Sequence, residues 1–226
     1  MAGNTRTLPS SVSVFLLVCF SILALPISAQ VIEFLSNGLK YQVLTRQGLT
    51  LMYAPLQLTV RDFAVLQVAF SNGSSYSWSI QSTDFLYESE DGYRIRAVSE
   101  DTVIDNLFRS AGRSEVIKLQ TAYEKSLFAN QLIRSNNGYE QRRQSALAGG
   151  GSRGIKAAAA ASTIALVRTK LNSGDSTDGA IFFDNQGKQI GSGRLIVQVA
   201  VVMEESAVPG LTAEPHLTAV FEFVLH

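Results

Sequence analysis

The chain has 226 residues, with 19 Lys and Arg balanced by 19 Asp and Glu. It therefore lacks the positive footprint with which nucleic-acid binders meet phosphates. One cysteine and two histidines leave no basis for a disulfide framework or a Cys-rich zinc site. A domain of this size buries roughly 70% of the surface its unfolded chain exposes, so it needs no metal or crosslink to stay folded.

Met1 to Ser11 is polar, with Arg6 its single charge. Val12 to Leu25 is almost continuously apolar, Pro26 ends the run, and Ile27-Ser28-Ala29 precedes Gln30. A polar start with one cation, an apolar stretch and small residues at a cut site are the parts of an export signal in their order. Cleavage is expected after Ala29, leaving residues 30–226 as the mature chain, periplasmic or extracellular. The alternative is a membrane anchor through residues 12–25, against which stands a run of about 14 residues where a spanning helix needs about 20. Lipidation at Cys19 would require a small residue where Val18 stands. Removal of the signal removes the only cysteine. A cysteine-free exported chain suits a bacterial envelope protein better than a small eukaryotic secreted module.

From Leu39 to Val98 the pattern is β. Leu56, Leu58 and Val60 alternate with Gln57, Thr59 and Arg61, which gives one apolar and one polar face. Phe63 to Phe70 is nearly all apolar, as a central strand covered on both faces requires. Asn72-Gly73 supplies a turn that tolerates positive φ, and Tyr76, Trp78 and Ile80 alternate again. Asp91-Gly92 between Phe85-Leu86-Tyr87 and Tyr93 to Val98 predicts a hairpin. Phe70 and Trp78 are expected in the core.

The period then changes. Val103, Ile104, Leu107, Phe108 and Ala111 recur at helical spacing, with Ser99 or Asp101 to cap the start and Gly112 to end the helix. Ser114 opens a second helix through Val116, Leu119, Tyr123 and Leu127. A third runs through Arg142, Arg143, Ala146 and Leu147 until Gly149-Gly150-Gly151 breaks it. Ile155 to Ala161 resumes as helix. The β pattern returns at Ile164 to Leu171, Gly179 to Phe183, Arg194 to Met203 and Ala219 to Leu225. Strands, then helices, then strands predict one sheet system interrupted by an insertion at about 99–163. Six to eight short antiparallel strands favour an immunoglobulin-like β-sandwich with a helical insertion. A β-barrel-like α+β fold is the alternative.

The stretch Leu171-Asn172-Ser173-Gly174-Asp175-Ser176, followed by Gly179 and Ile181-Phe182-Phe183, resembles a pattern in exported bacterial immunoglobulin-like domains of unknown function. There the usual turn is Pro-Gly-Glu-Ser. This chain has Ser173 for the Pro and Asp175 for the Glu. Phe63 to Ser74 is similar to an inner strand and turn of such domains. Gly138-Tyr139-Glu140-Gln141-Arg142-Arg143 with the later alanine run resembles uncharacterised secreted proteins of soil bacteria. The resemblance implies a fold and an export route, and no catalytic residue.

Few constellations carry chemistry. His216 and His226 lie in a Pro-rich loop and at the C-terminus, outside any metal-ligand spacing and poorly placed for a Ser-His-acid triad. Glu88, Glu90 and Asp91, or Glu100 and Asp101, could act as paired carboxylates. The plainer readings are a solvated turn and complementation of a helix dipole. Gly149 to Gly154 lacks the Lys-Ser/Thr and the leading strand of a phosphate loop. Asn72-Gly73-Ser74 matches a glycosylation sequon and reads as a turn. Nine Lys and Arg against six Asp and Glu lie in residues 99–163. Arg109, Arg113, Arg134, Arg142 and Arg143 form a candidate basic face for an anionic envelope component, unless they are only a solvated outer surface. The expectation is a non-enzymatic secreted or cell-envelope protein with no cofactor and no metal, binding an unknown protein or anionic component. A carboxylate-dependent hydrolase with a cleft between sandwich and helices, or a membrane-tethered accessory protein, is the alternative.

Overall fold

A computed structural model describes residues 30–36, 38–110, 117, 121, 164–202 and 217–226. The described residues are mainly antiparallel β-sheet with one α-helix. No helix among them is long and apolar enough to cross a membrane. In chain order the strands are β1 (Ile32–Ser36), β2 (Leu39–Arg46), β3 (Leu49–Val60), β4 (Phe63–Asn72), β5 (Trp78–Ile80), β6 (Phe85–Ser89) and β7 (Arg94–Arg96). After helix α1 (Glu100–Ser110) come β8 (Thr169–Leu171), β9 (Ser176–Asp184), β10 (Gly193–Val201) and β11 (Thr218–Leu225).

The first sheet has the order β1-β2-β3-β4-β9. Its β2–β3 hairpin turns on Gln47 and Gly48, both at positive φ (52° and 77°), the pair of conformations that a tight hairpin turn matching the strand twist requires. In the second sheet β10 carries β11 on one side and both β5 and β6 on the other. β5 and β6 are two pieces of one broken strand, separated by the 3-10 turn Ser82–Asp84. β8 and β7 lie outside them.

Both β blocks of the sequence contribute to both sheets, so their pairings are long-range: β4 with β9, β6 with β10. Inner faces meet through aromatic rings. Tyr53 of β3 meets Phe223 of β11 edge-on at 4.7 Å, and Phe70 of β4 meets Phe85 of β6 at 6.0 Å. Side chains alternate along a strand, so Leu51, Leu66 and Val68 share this interior with Leu195, Val197 and Phe221, all buried. Trp78 and Phe70 are fully buried, as expected.

Strand β4 is buried at every position but Ser71, because the first sheet is covered on its other face too. There Val103 and Leu107 of α1, with Ile164 and Ala165, pack on Phe63, Val65 and Phe182. The Ser99 hydroxyl accepts from the Thr102 N–H at 3.3 Å and so caps α1, leaving Glu100 and Asp101 in the first turn, where carboxylates complement the helix dipole.

The expected and observed elements differ in four places. Eleven strands are present instead of six to eight, since one long strand is broken and β1 was not foreseen. The Asn72-Gly73 turn forms without positive φ at either residue. Side-chain bonding holds it instead: Asn72 Nδ2 donates to the carbonyls of Tyr76 (2.7 Å) and Leu171 (3.1 Å), and its Oδ1 accepts from Ser74 N and Oγ (2.9 and 2.7 Å). From Ile164 to Leu171 only Thr169–Leu171 is a strand. Ala165 makes an isolated parallel bridge to Ala180, where the chain closes on β9 so tightly that a Cβ on Gly179 would lie 2.4 Å from Leu166 Cα. The expected polar alternation near Val60 is interrupted by a register shift between Pro55 and Thr59. The helices expected from Ser114 to Ala161 lie outside the described residues, apart from single helical positions at Ile117 and Thr121.

Candidate functional site

Strand β1 forms the free edge of the first sheet. It pairs with β2 through five residues in unbroken register, and among the described residues no strand lies on its other side. Ile32, Phe34 and Leu35 are 61%, 38% and 78% exposed. The Phe34 ring stacks on Tyr41 of β2 at 5.2 Å and 12°. On the opposite face Glu33 receives Lys40 Nζ at 2.9 Å and Gln42 Nε2 at 2.6 Å. The hydrogen bond from Lys40 leads in holding the Glu33 carboxyl below its ordinary range. Gln42 Oε1 in turn accepts from the Tyr53 hydroxyl at 2.8 Å, and burial pushes that hydroxyl's pKa up. A polar chain thus closes the space beside β1, while its apolar side chains stay in solvent.

A second feature crosses the other sheet. Arg94 of β7, Glu88 of β6, Arg194 of β10 and Glu222 of β11 alternate in charge across four strands. Arg94 Nε lies 2.6 Å from Glu88, Arg194 Nη2 binds the other Glu88 oxygen, and Arg194 Nη1 lies 2.9 Å from Glu222. Hydrogen bonding from Arg194 is the largest cause that lowers the Glu88 carboxyl pKa. Opposite charges directly across strands stabilise pairing and register.

This corrects the reading of Glu88, Glu90 and Asp91 as one acidic turn. Glu88 is 8% exposed and held by arginines, whereas Glu90 and Asp91 are exposed in the turn. The hairpin itself forms as expected, with Gly92 at φ 79° and its N–H on the Ser89 carbonyl. Glu100 reaches the Ser82 hydroxyl at 3.4 Å. Asp84, at the break between β5 and β6, has its carboxyl pKa raised by burial, opposed by bonds from Gln81 N (3.0 Å) and Nε2 (3.1 Å).

Of the candidate basic face, Arg109 falls in the last turn of α1. Arg113, Arg134, Arg142 and Arg143 lie outside the described residues, as do Cys19, His216 and the Gly149 to Gly154 stretch. His226 is exposed at the C-terminus. Among the described residues no group of three or more His, Cys, Asp or Glu is placed to hold a metal. A cavity of about 160 Å³ opens at the β3 irregularity, lined by Leu56, Leu58, Val65 and Ile190 with Gln57 and Gln189 as its polar groups. It contains no titratable side chain. The Asn72 amide is buried and donates two hydrogen bonds, so the sequon serves the turn.

Sequence reasoning missed β1 and the partners of Glu88. β1 had no alternation to find, since it buries neither face. The arginines of the ladder are found only once strands distant in the chain are paired. Comparison of the chain with family models, with curated proteins and with solved structures finds no match in any of the three.

Proposed function

We propose that this chain is an exported, non-enzymatic bacterial envelope domain, an immunoglobulin-like sandwich that engages a protein partner by strand addition at the β1 edge. The observation that carries this reading is the exposure of Ile32, Phe34 and Leu35 on an edge strand whose outer side is unpaired among the described residues. An exposed apolar edge is a ready template for another strand, and main-chain pairing with side-chain alternation is a recurring mode of peptide recognition. Two antiparallel sheets with a shared aromatic interior support the sandwich. The commitment of Glu88 to two arginines favours binding over acid–base chemistry. Export rests on the pattern of residues 1–29.

A photo-crosslinking side chain at position 35 tests the interface in the living host. One discrete adduct is expected from position 35, and none from position 96 on the other sheet. Equal labelling from both positions, or none from position 35, would remove the β1 edge as the interface. N-terminal sequencing of the exported protein checks the route, with Gln30 expected as the first residue.

A further inference from the structure

The other sheet edges among the described residues are protected. β7 and β8 are three residues each. The outer side of β9 receives the Val98 N–H on the Phe182 carbonyl and the Leu166 N–H on the Ala180 carbonyl, both at 2.9 Å. On β11 the side-chain amides of Gln42 and Gln47 reach the carbonyls of Val224 and Thr218, each at 3.4 Å. β1, with the sequence Ile-Glu-Phe-Leu-Ser, carries none of the devices that keep edges apart, which are Pro, Lys, a bulge or a cover.

Resting on strand addition at this edge, we infer that the added strand is β1 of a second copy of the chain. The two strands run antiparallel, in the register that sets Phe34 opposite its own counterpart. Charge separates a foreign strand from an identical one. Glu33 is the single charge in β1, and Lys40 and Gln42 of its own chain already satisfy it. The edge is therefore neutral and apolar. It has no free charge with which to select a charged partner and none that repels its copy.

The faces decide the register. Directly opposed residues lie on one face of an antiparallel pair, and Ile32, Phe34 and Ser36 alternate with Glu33 and Leu35. About a two-fold axis normal to the sheet, centring on Glu33 sets two carboxylates against each other. Centring on Leu35 leaves Ile32 and Glu33 without β1 partners. Centring on Phe34 pairs the whole strand: Ile32 with Ser36, Glu33 with Leu35, and Phe34 with Phe34. It also carries the stack of Tyr41 and Phe34 across the axis to the same two rings of the copy. Such a contact is isologous and closes at two subunits, as a two-fold interface must.

The test uses the purified exported protein. Sedimentation velocity should show a dimer that forms with rising concentration. Leu35→Glu sets a second carboxylate opposite Glu33 twice over and should leave a monomer. Leu35→Lys sets a cation there and should keep the dimer. Leu35 is 78% exposed, so neither change threatens the fold. Cys19 is the only cysteine, and in a Cys19→Ser background an introduced thiol is alone. Phe34→Cys places two thiols directly opposite, with Cβ atoms about 4.5–5.5 Å apart, against about 7–8 Å for the diagonal placement of Leu35→Cys. Oxidation should crosslink the first at least about ten-fold faster, since a disulfide needs close Cβ atoms.

Equal loss of dimer in Leu35→Glu and Leu35→Lys, or equal crosslinking of the two cysteine variants, overturns the register. A monomer at every concentration, with a foreign protein still captured from position 35, overturns self-pairing and leaves the edge as a binding site. Loss of that capture as well removes the proposed function itself.

Discussion

Replacing Asn72 by Asp separates hydrogen bonding from packing in the turn after β4. The two side chains have the same shape, so packing alone predicts no change. Bonding predicts a large one. Asn72 Nδ2 donates to two carbonyls, those of Tyr76 at 2.7 Å and Leu171 at 3.1 Å, and Asn72 is 1% exposed. An ionised Asp puts an oxygen where both carbonyls expect a donor. Two buried acceptors lose their partner, each at about 1–3 kcal/mol, and the new carboxylate is itself short of donors. A loss of about 3–5 kcal/mol is expected near neutral pH, against a total stability of about 5–15 kcal/mol for a domain. At about 2–4 °C per kcal/mol for a chain of this size, melting falls by about 6–20 °C. The deficit depends on pH. Burial against carbonyls raises the folded-state pKa of this Asp above its unfolded value. The penalty is therefore greatest above the folded pKa and shrinks as pH falls through it, where a protonated Asp regains one donor. Thermal unfolding followed by circular dichroism at neutral and at mildly acidic pH measures both effects. A variant that melts like the wild type at neutral pH would show that these bonds contribute nothing net, and the account of the turn would fail.

Other outcomes follow from single contacts. Gly179→Ala should lower stability by about 1–3 kcal/mol or more, the usual range for overpacking, because its Cβ would meet the Leu166 backbone at 2.4 Å; an unchanged denaturation midpoint would contradict that approach. Thr177 has a buried hydroxyl with no hydrogen-bond partner, so Thr177→Val should stabilise the protein by about 1 kcal/mol, and destabilisation in urea would refute it. Glu88 has a depressed folded pKa, so its contribution is present above the unfolded value and disappears as pH falls through the folded one. Acid titration of stability should flatten in Glu88→Gln across that window, and a slope identical to the wild type would exclude Glu88 as its source.

The residues themselves determined those features whose cause is local. Alternation marks β10 and β11, where one face is buried and the other is wet. The unbroken apolar run of β4 announces cover on both faces, and Asp91-Gly92 and Ser99 announce a hairpin and a helix start. Each depends on neighbours a few positions away. The tertiary structure alone decided the rest. Strand order and register pair residues far apart, such as Glu88 with Arg194, and nothing within a short window encodes that meeting. Glu88 reads as part of an acidic cluster in sequence, yet lies in a charge ladder because β10 and β7 flank β6. β1 escaped notice for the converse reason: periodicity arises only when one face is buried, and a strand exposed on both faces leaves no pattern, although its exposure makes it the candidate interface.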